Sequence, residues 1–220
     1  MKGKTSAVLF DLDGTLVDSL QDIAASMNQV LTRRGFPEHP VEAYRFFVGD
    51  GMEMLARRCL PAETDISCSL IEDLVREMKE TYATQWRNHP DPYPGIREML
   101  RGLTRAGLRL GVFSNKPESF TREMVFHVFG EEIFETVRGA REGVPVKPAP
   151  DGARAILAAW GLKPEQVLYV GDTNTDMATG KNTGMFTVGV TWGFRDRQEL
   201  EAGGADGVVD HPDEILRMFA

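Results

Sequence analysis

Cysteine is scarce in this sequence: of 220 residues, only Cys59 and Cys68 carry a thiol. They flank a Pro61–Asp65 break and no second pair exists, which excludes a disulfide framework and a paired-cysteine zinc site and fits a reducing cytoplasm. Long apolar runs are missing too. The opening Met1–Ser6 is short and basic, and the apolar stretch behind it stops at Asp11. Neither a signal peptide nor a membrane-spanning segment is expected. Positive charge is in deficit, with a formal net charge of −8. That argues against nucleic acid or an anionic membrane as the partner. An anionic substrate would therefore need positive charge supplied locally. Internal repeats and low-complexity tracts are absent. The four histidines, His39, His89, His127 and His211, show no clustering and are read as structural.

What remains is an ordinary globular composition, 42% hydrophobic and 26% charged, in a chain long enough to bury a core. Five short apolar runs are expected as strands: Ala7–Phe10, Leu108–Phe113, Val167–Val170, Phe186–Val190 and Gly207–Val209. Most lack polar alternation, as parallel strands covered on both faces do. Helical patterns lie between them, over Ile96–Ala106, Phe120–Phe129 and Asp151–Trp160, each followed directly by a glycine stop. Such alternation predicts an α/β fold with a doubly wound parallel sheet.

One stretch departs from it. From near Val17 to Asn88 no strand is expected. Leu20, Ile23, Met27, Val30 and Leu31 recur at helical spacing, as do Leu70, Leu74, Met78 and Tyr82 and, more weakly, Met52, Leu55 and Cys59. This reads as a helical bundle inserted at residues 17–91, with 1–16 and 92–220 forming the α/β core. The return link, His89-Pro-Asp-Pro-Tyr-Pro-Gly95, is stiff and non-helical.

Four places carry candidate chemistry. The first strand runs into Asp11-Leu12-Asp13-Gly14-Thr15. Residues i and i+2 of an extended chain share a side, so both carboxylates can face one pocket, and Gly14 permits a sharp turn. Paired carboxylates repel, a cation relieves them, and oxygen-only ligands suit magnesium. The same aspartates are also ordinary turn and cap formers. An EF-hand loop is excluded, because its glycine and later aspartate are misplaced. Second, Ser114-Asn115-Lys116 ends a strand ahead of a helix, where a hydroxyl and amides can hold phosphate oxygens or simply cap the helix. Third, Lys147 stands among prolines, a point charge for phosphate or a solvated surface group. Fourth, Gly171-Asp172-Thr-Asn-Thr-Asp176 repeats the strand-then-carboxylate pattern, with either aspartate also a potential helix cap. Ligands of open α/β sheets bind beyond the carboxyl ends of the strands, where Asp11, Ser114 and Asp172 are all expected.

In order and spacing, Asp11-Leu-Asp-Gly-Thr-Leu16, Ser114-Asn-Lys116, Lys147 and Gly171-Asp-Thr-Asn-Thr-Asp176 resemble the four motifs of the haloacid dehalogenase-like hydrolase superfamily. The insert resembles the helical cap of its phosphoglycolate phosphatase-like branch. The resemblance implies a Rossmann-like core with the cap closing over the site. It implies Asp11 as nucleophile and Asp13 as general acid and base. Asp11, the Asp13 carbonyl and Asp172 would be the Mg2+ ligands, with Asp176, Gly14 and Thr15 in support. Ser114 and Lys147 would hold phosphate, and Asn115 could touch substrate. Dehalogenases and phosphonate-cleaving relatives lack the second aspartate, present here as Asp13. The latter also use a cap lysine, and the only lysine of the insert is Lys79, on its long helix.

The implied activity is a magnesium-dependent phosphatase acting on a small phosphorylated metabolite, with 2-phosphoglycolate the first choice. The loop Val48-Gly49-Asp50-Gly51 is expected to face the site, Gly49 and Gly51 allowing close approach, and flanking Arg45 or Arg57 to pair with the substrate carboxylate. A β-phosphoglucomutase-like mutase or a pyrophosphatase would use the same core motifs. A phosphoaccepting receiver-like module would not need the insert, and a degenerate binding protein would not fill every motif position.

Overall fold

A computed structural model of the chain describes residues 5–219. The outermost residues of the expected core, 1–4 and 220, lie outside the described residues. The chain runs from β1 (Ala7–Phe10) through a two-residue strand, β2 (Val17–Asp18), into four helices: α1 (Leu20–Arg33), α2 (Tyr44–Phe47), α3 (Met52–Cys59) and α4 (Cys68–Gln85). It returns through β3 (Asp91–Pro92). Then follow α5 (Ile96–Arg105), β4 (Arg109–Pro117), α6 (Glu118–Phe129), β5 (Thr136–Ala140), α7 (Asp151–Trp160), β6 (Val167–Gly171), α8 (Asn174–Thr183), β7 (Phe186–Val190), α9 (Arg197–Ala202), β8 (Gly207–Val209) and α10 (Pro212–Arg217).

The main sheet is parallel throughout, in the order β5-β4-β1-β6-β7-β8. All four β1 residues are fully buried. Val8 and Phe10 enter one apolar layer with Val112 and Val170, while Ala7 and Leu9 enter the other with Tyr169. Burial on both faces leaves no polar position, which is why the sequence shows an unbroken run. Each such large side chain contributes about 1.5–3 kcal/mol. Helix α7 covers the second layer through Ala153, Ile156, Leu157 and Trp160. Strand order reverses at β1: chain after it goes first to one side, as β4, and later to the other, as β6. The carboxyl ends of β1, β4 and β6 are thereby neighbours.

Helix α1 buries Leu20, Ile23, Met27, Val30 and Leu31 along one face against α4, which buries Ile71, Leu74, Met78 and Tyr82. Ile71, rather than the expected Leu70, takes the inner position; Leu70 packs at its margin. Cys59 is buried, Cys68 exposed, and both thiols are free. No helix among the described residues is long and apolar enough to cross a membrane.

Two expectations need correction. The stretch from Val17 was expected to hold no strand, yet β2 pairs antiparallel with β3, Val17 opposite Pro92 and Asp18 opposite Asp91. Two residues are too few for a period to register. The sheet also has a sixth strand, β5, beyond the five expected. It is an edge strand in which only Val137 is buried, so it shows no apolar run.

Candidate functional site

Asp11 follows β1 directly and continues its ladder, its amide donating to the Val170 carbonyl at 2.9 Å. The chain then turns tightly: the Leu12 carbonyl accepts from the amides of Thr15, Leu16 and Val17. Gly14 is required at the bend, with φ +85° and a position where a Cβ would overlap the Asp172 carboxylate. The turn places Thr15 so that its hydroxyl donates to Asp172 Oδ1 at 2.8 Å. The Phe194 amide holds the other oxygen, Oδ2, at 2.9 Å.

Asp176, in the first turn of α8, lies against the same point. Its Oδ1 accepts from Tyr169 at 3.0 Å and from Lys147 Nζ at 2.7 Å, while Oδ2 takes the Thr173 amide and hydroxyl. Carboxylate oxygens of Asp11, Asp172 and Asp176 all lie within 4.8 Å of one another, and all three residues are buried. Lys147, only 2% exposed, is the cation facing them, 2.9 Å from Asp11 Oδ1 and 2.7 Å from Asp176 Oδ1.

These contacts leave the cluster short of positive charge. Burial pushes the Asp11 carboxyl up to about 6; Lys147 pulls against this, and Asp176 and Asp13 add to it. Burial, then Asp176 and Asp11, raises Asp172 well above the ordinary carboxylate range. Burial opposes the Lys147 ammonium, but Asp11 and Asp176 outweigh it and hold it charged far above its usual range. Asp11 Oδ1 lies within ion-pair distance of Lys147 yet receives no hydrogen bond. An oxygen-only set with a spare buried lone pair and excess negative charge fits a hard divalent cation such as Mg2+. Of the three, Asp11 and Asp172 would supply carboxylate ligands, and Asp176, tied to Lys147, Tyr169 and Thr173, would stand beside them.

Ser114, Asn115 and Lys116 stand on β4, which runs through them rather than ending at Phe113. Ser114 faces the same cavity as Asp11 and Asp13. Asn115 is turned to the protein: it donates to the carbonyls of Gly49 and Lys147, at 3.0 and 3.1 Å, and accepts from the Lys147 amide at 2.8 Å. Two of its three hydrogen bonds place the lysine, and the three together leave little for a substrate. Lys116 was not singled out in the sequence. It is 7% exposed, with Nζ 2.9 Å from Asp13 Oδ1 and 2.6 Å from the Tyr82 hydroxyl. Ser19 donates to the same Asp13 oxygen. The signal was available, since Lys116 is two residues beyond Ser114 and so shares its side of the strand.

The cavity lies between these strand ends and the helical segment, about 520 Å3 counted to its open mouth. Gly49 and Gly51 line it. Their loop is docked on the α/β part: Thr175 donates to Asp50, and Arg195 donates to the Val48 carbonyl at 3.3 Å. Arg45 and Arg57, expected to reach a substrate, do not line the cavity. Arg45 donates to the Gly193 carbonyl at 3.1 Å, and Arg57 pairs with Glu53 on the outer face of α3 at 2.9 Å. Proximity in sequence to the loop said nothing of the direction in which either helix points them. Among the histidines, His89 contacts Asp22 at 3.0 Å and His39 the Cys59 carbonyl at 2.8 Å, and neither lines the cavity.

A carboxylate beside a buried lysine, a second carboxylate two residues on, and room for a cation form a set suited to nucleophilic displacement at phosphorus. Comparison with known proteins agrees. The profile of the family described as haloacid dehalogenase-like hydrolase matches residues 8–190. Phosphoglycolate phosphatase of Pseudomonas putida is 32% identical over 206 residues, 92% of this chain and 75% of that protein. Phosphoglycolate phosphatase of Vibrio parahaemolyticus is 31% identical over 217 residues, 97% of this chain and 95% of its own. The crystal structure of a predicted phosphoglycolate phosphatase from Haemophilus somnus superposes with a TM-score of 0.92 at 26% identity, covering 100% of both chains.

Proposed function

The chain belongs to the haloacid dehalogenase-like hydrolase family, and we propose on that premise that it hydrolyses 2-phosphoglycolate, or a phosphomonoester of similar size, through a phosphate ester on Asp11. It is a phosphatase of the phosphoglycolate phosphatase-like branch. The observation that carries the mechanism is the meeting of Asp11, Asp172, Asp176 and Lys147 around one point at the carboxyl ends of β1, β4 and β6.

An Asp11 oxygen attacks phosphorus, the bond from phosphorus to the ester oxygen breaks, and Asp13 gives that oxygen its proton. Asp13 then takes a proton from the water that attacks the aspartyl phosphate. Inorganic phosphate leaves and Asp11 is restored. Ser114 and Lys147 hold the phosphate oxygens, and Lys147 screens the charge of Asp11 from the incoming anion. Asp11, the Asp13 carbonyl and Asp172 would hold Mg2+, with Asp176 beside them. The ion, when bound, neutralises charge on the transferring group. Thr15 and Gly14 position Asp172 in this scheme. Residues 17–91 act as the cap that selects the leaving group, and 1–16 with 92–220 as the catalytic core.

The test is a hydrolysis panel with added magnesium, comparing kcat/KM for 2-phosphoglycolate, glycerol phosphate, glucose 1-phosphate and pyrophosphate. Phosphoglycolate is expected to lead. A tenfold lead for glucose 1-phosphate or pyrophosphate would transfer the assignment to a mutase-like or pyrophosphatase activity.

A further inference from the structure

We propose that Lys116, completed by the Tyr82 hydroxyl, receives a negatively charged group on the leaving part of the substrate, so that the site selects phosphomonoesters with a carboxylate next to the ester-bearing carbon. This rests on the phosphatase reading above and names what its cavity recognises.

Beyond the phosphate end, the cavity walls supplied by the helical segment are apolar: Ile23, Val48, Met52, Leu55 and Met78. Lys116 is the one cationic side chain lining it among the described residues. Arg45 and Arg57 are engaged elsewhere. An ammonium in such surroundings has lost most of its water and must be matched by anions or dipoles. Asp13 takes one N–H at 2.9 Å and Tyr82 a second at 2.6 Å, leaving a third that only reaches Asp13 Oδ2 at 3.2 Å.

Tyr82 provides a second, independent sign. It is 1% exposed and its oxygen accepts from Lys116, so its own proton must go elsewhere. No acceptor for that proton occurs among the described residues, and Tyr82 lines the cavity. A buried hydroxyl lacking an acceptor, beside an ammonium with a loosely used donor, forms a two-point receptor for a carboxylate. It adjoins Asp13, the group that protonates the departing oxygen, so the charge it reads must sit close to the ester.

The experiment compares kcat/KM for 2-phosphoglycolate and ethyl phosphate, which has the same two-carbon length without the charge. The wild-type protein is expected to favour phosphoglycolate by about ten- to hundredfold. Lys116→Met should erase that ratio. Tyr82→Phe, which removes one oxygen, should lower it about three- to tenfold, and it decides the matter should the methionine variant fail to fold. Equal losses on both substrates would mean that Lys116 serves only to place Asp13, and would overturn the proposal. So would a wild-type protein that does not distinguish the two esters, or an unchanged ratio in Tyr82→Phe. In those cases phosphatase activity itself persists, whereas a wild-type protein inert toward every phosphomonoester with magnesium would remove the reading beneath.

Discussion

Asn115 grips the main chain of Lys147 from both sides, its Oδ1 accepting the Lys147 amide proton at 2.8 Å and its Nδ2 donating to the Lys147 carbonyl at 3.1 Å. The same Nδ2 reaches the Gly49 carbonyl at 3.0 Å, so one side chain joins β4, the Lys147 loop and the helical segment. Asn115→Ala leaves those backbone groups without a partner. Unfolding in denaturant should show a loss of about 2–4 kcal/mol, and kcat should fall at least tenfold as Lys147 drifts. Wild-type values for both would show that the lysine is placed by its prolines alone.

Asp11→Asn is nearly isosteric but a poor nucleophile, so turnover should vanish while thermal unfolding stays close to that of the wild type. Asp13→Asn should lose about a hundred- to ten-thousandfold in kcat, the range for an acid–base group. Substantial turnover by pure Asp11→Asn protein would end the covalent route.

Chelation should abolish activity and magnesium restore it. Calcium should inhibit, because its larger and looser ligand set would misplace Asp11. The ion should also be visible without turnover. At a hundred times its Kd, magnesium stabilises the folded form by about 2.7 kcal/mol, a rise in Tm that Asp172→Asn should remove. Full activity in chelator would refute the metal assignment.

Gly14→Ala tests the turn. The φ of +85° strains any side chain, and the new Cβ would overlap the Asp172 carboxylate. The strain costs about 1–3 kcal/mol. The displaced Asp172 should weaken the magnesium-induced rise in Tm more than it lowers Tm itself. A normal magnesium response in this variant would show that Asp172 is free to move.

Much of this was legible in the sequence where one local rule sufficed. Asp11 and Asp13 stand two apart after a buried run, so strand periodicity alone aims them together. The sheet was legible wherever burial on both faces produced an unbroken apolar run, and illegible at β5, whose exposed edge carries none. Lys147 looked like any surface lysine until the family resemblance was considered. Its burial depends on Asp11 and Asp176, which come from distant parts of the chain. The direction of Arg45 and Arg57, which do not line the cavity, was not legible, because nearness along the chain does not say which way a helical side chain points. Lys116 was passed over although the i, i+2 rule used for the aspartates applied equally to Ser114 and Lys116.

The separate ribbon of β2 and β3 sets Val17 opposite Pro92, so the chain enters the helical segment and returns from it at one spot. Changes in length or sequence between those two residues should leave the β1–β4 pairing in register, provided the contacts of Ser19, Gly49 and Tyr82 to Asp13, Asn115 and Lys116 are kept. Grafting a foreign helical segment between Asp18 and Asp91 would then exchange the chamber for the leaving group without disturbing Asp11 or Asp172. With residues 17–91 acting as the proposed cap, the molecule would be a fixed tool with an interchangeable jaw, and recombination at a single seam would bring new substrates within reach.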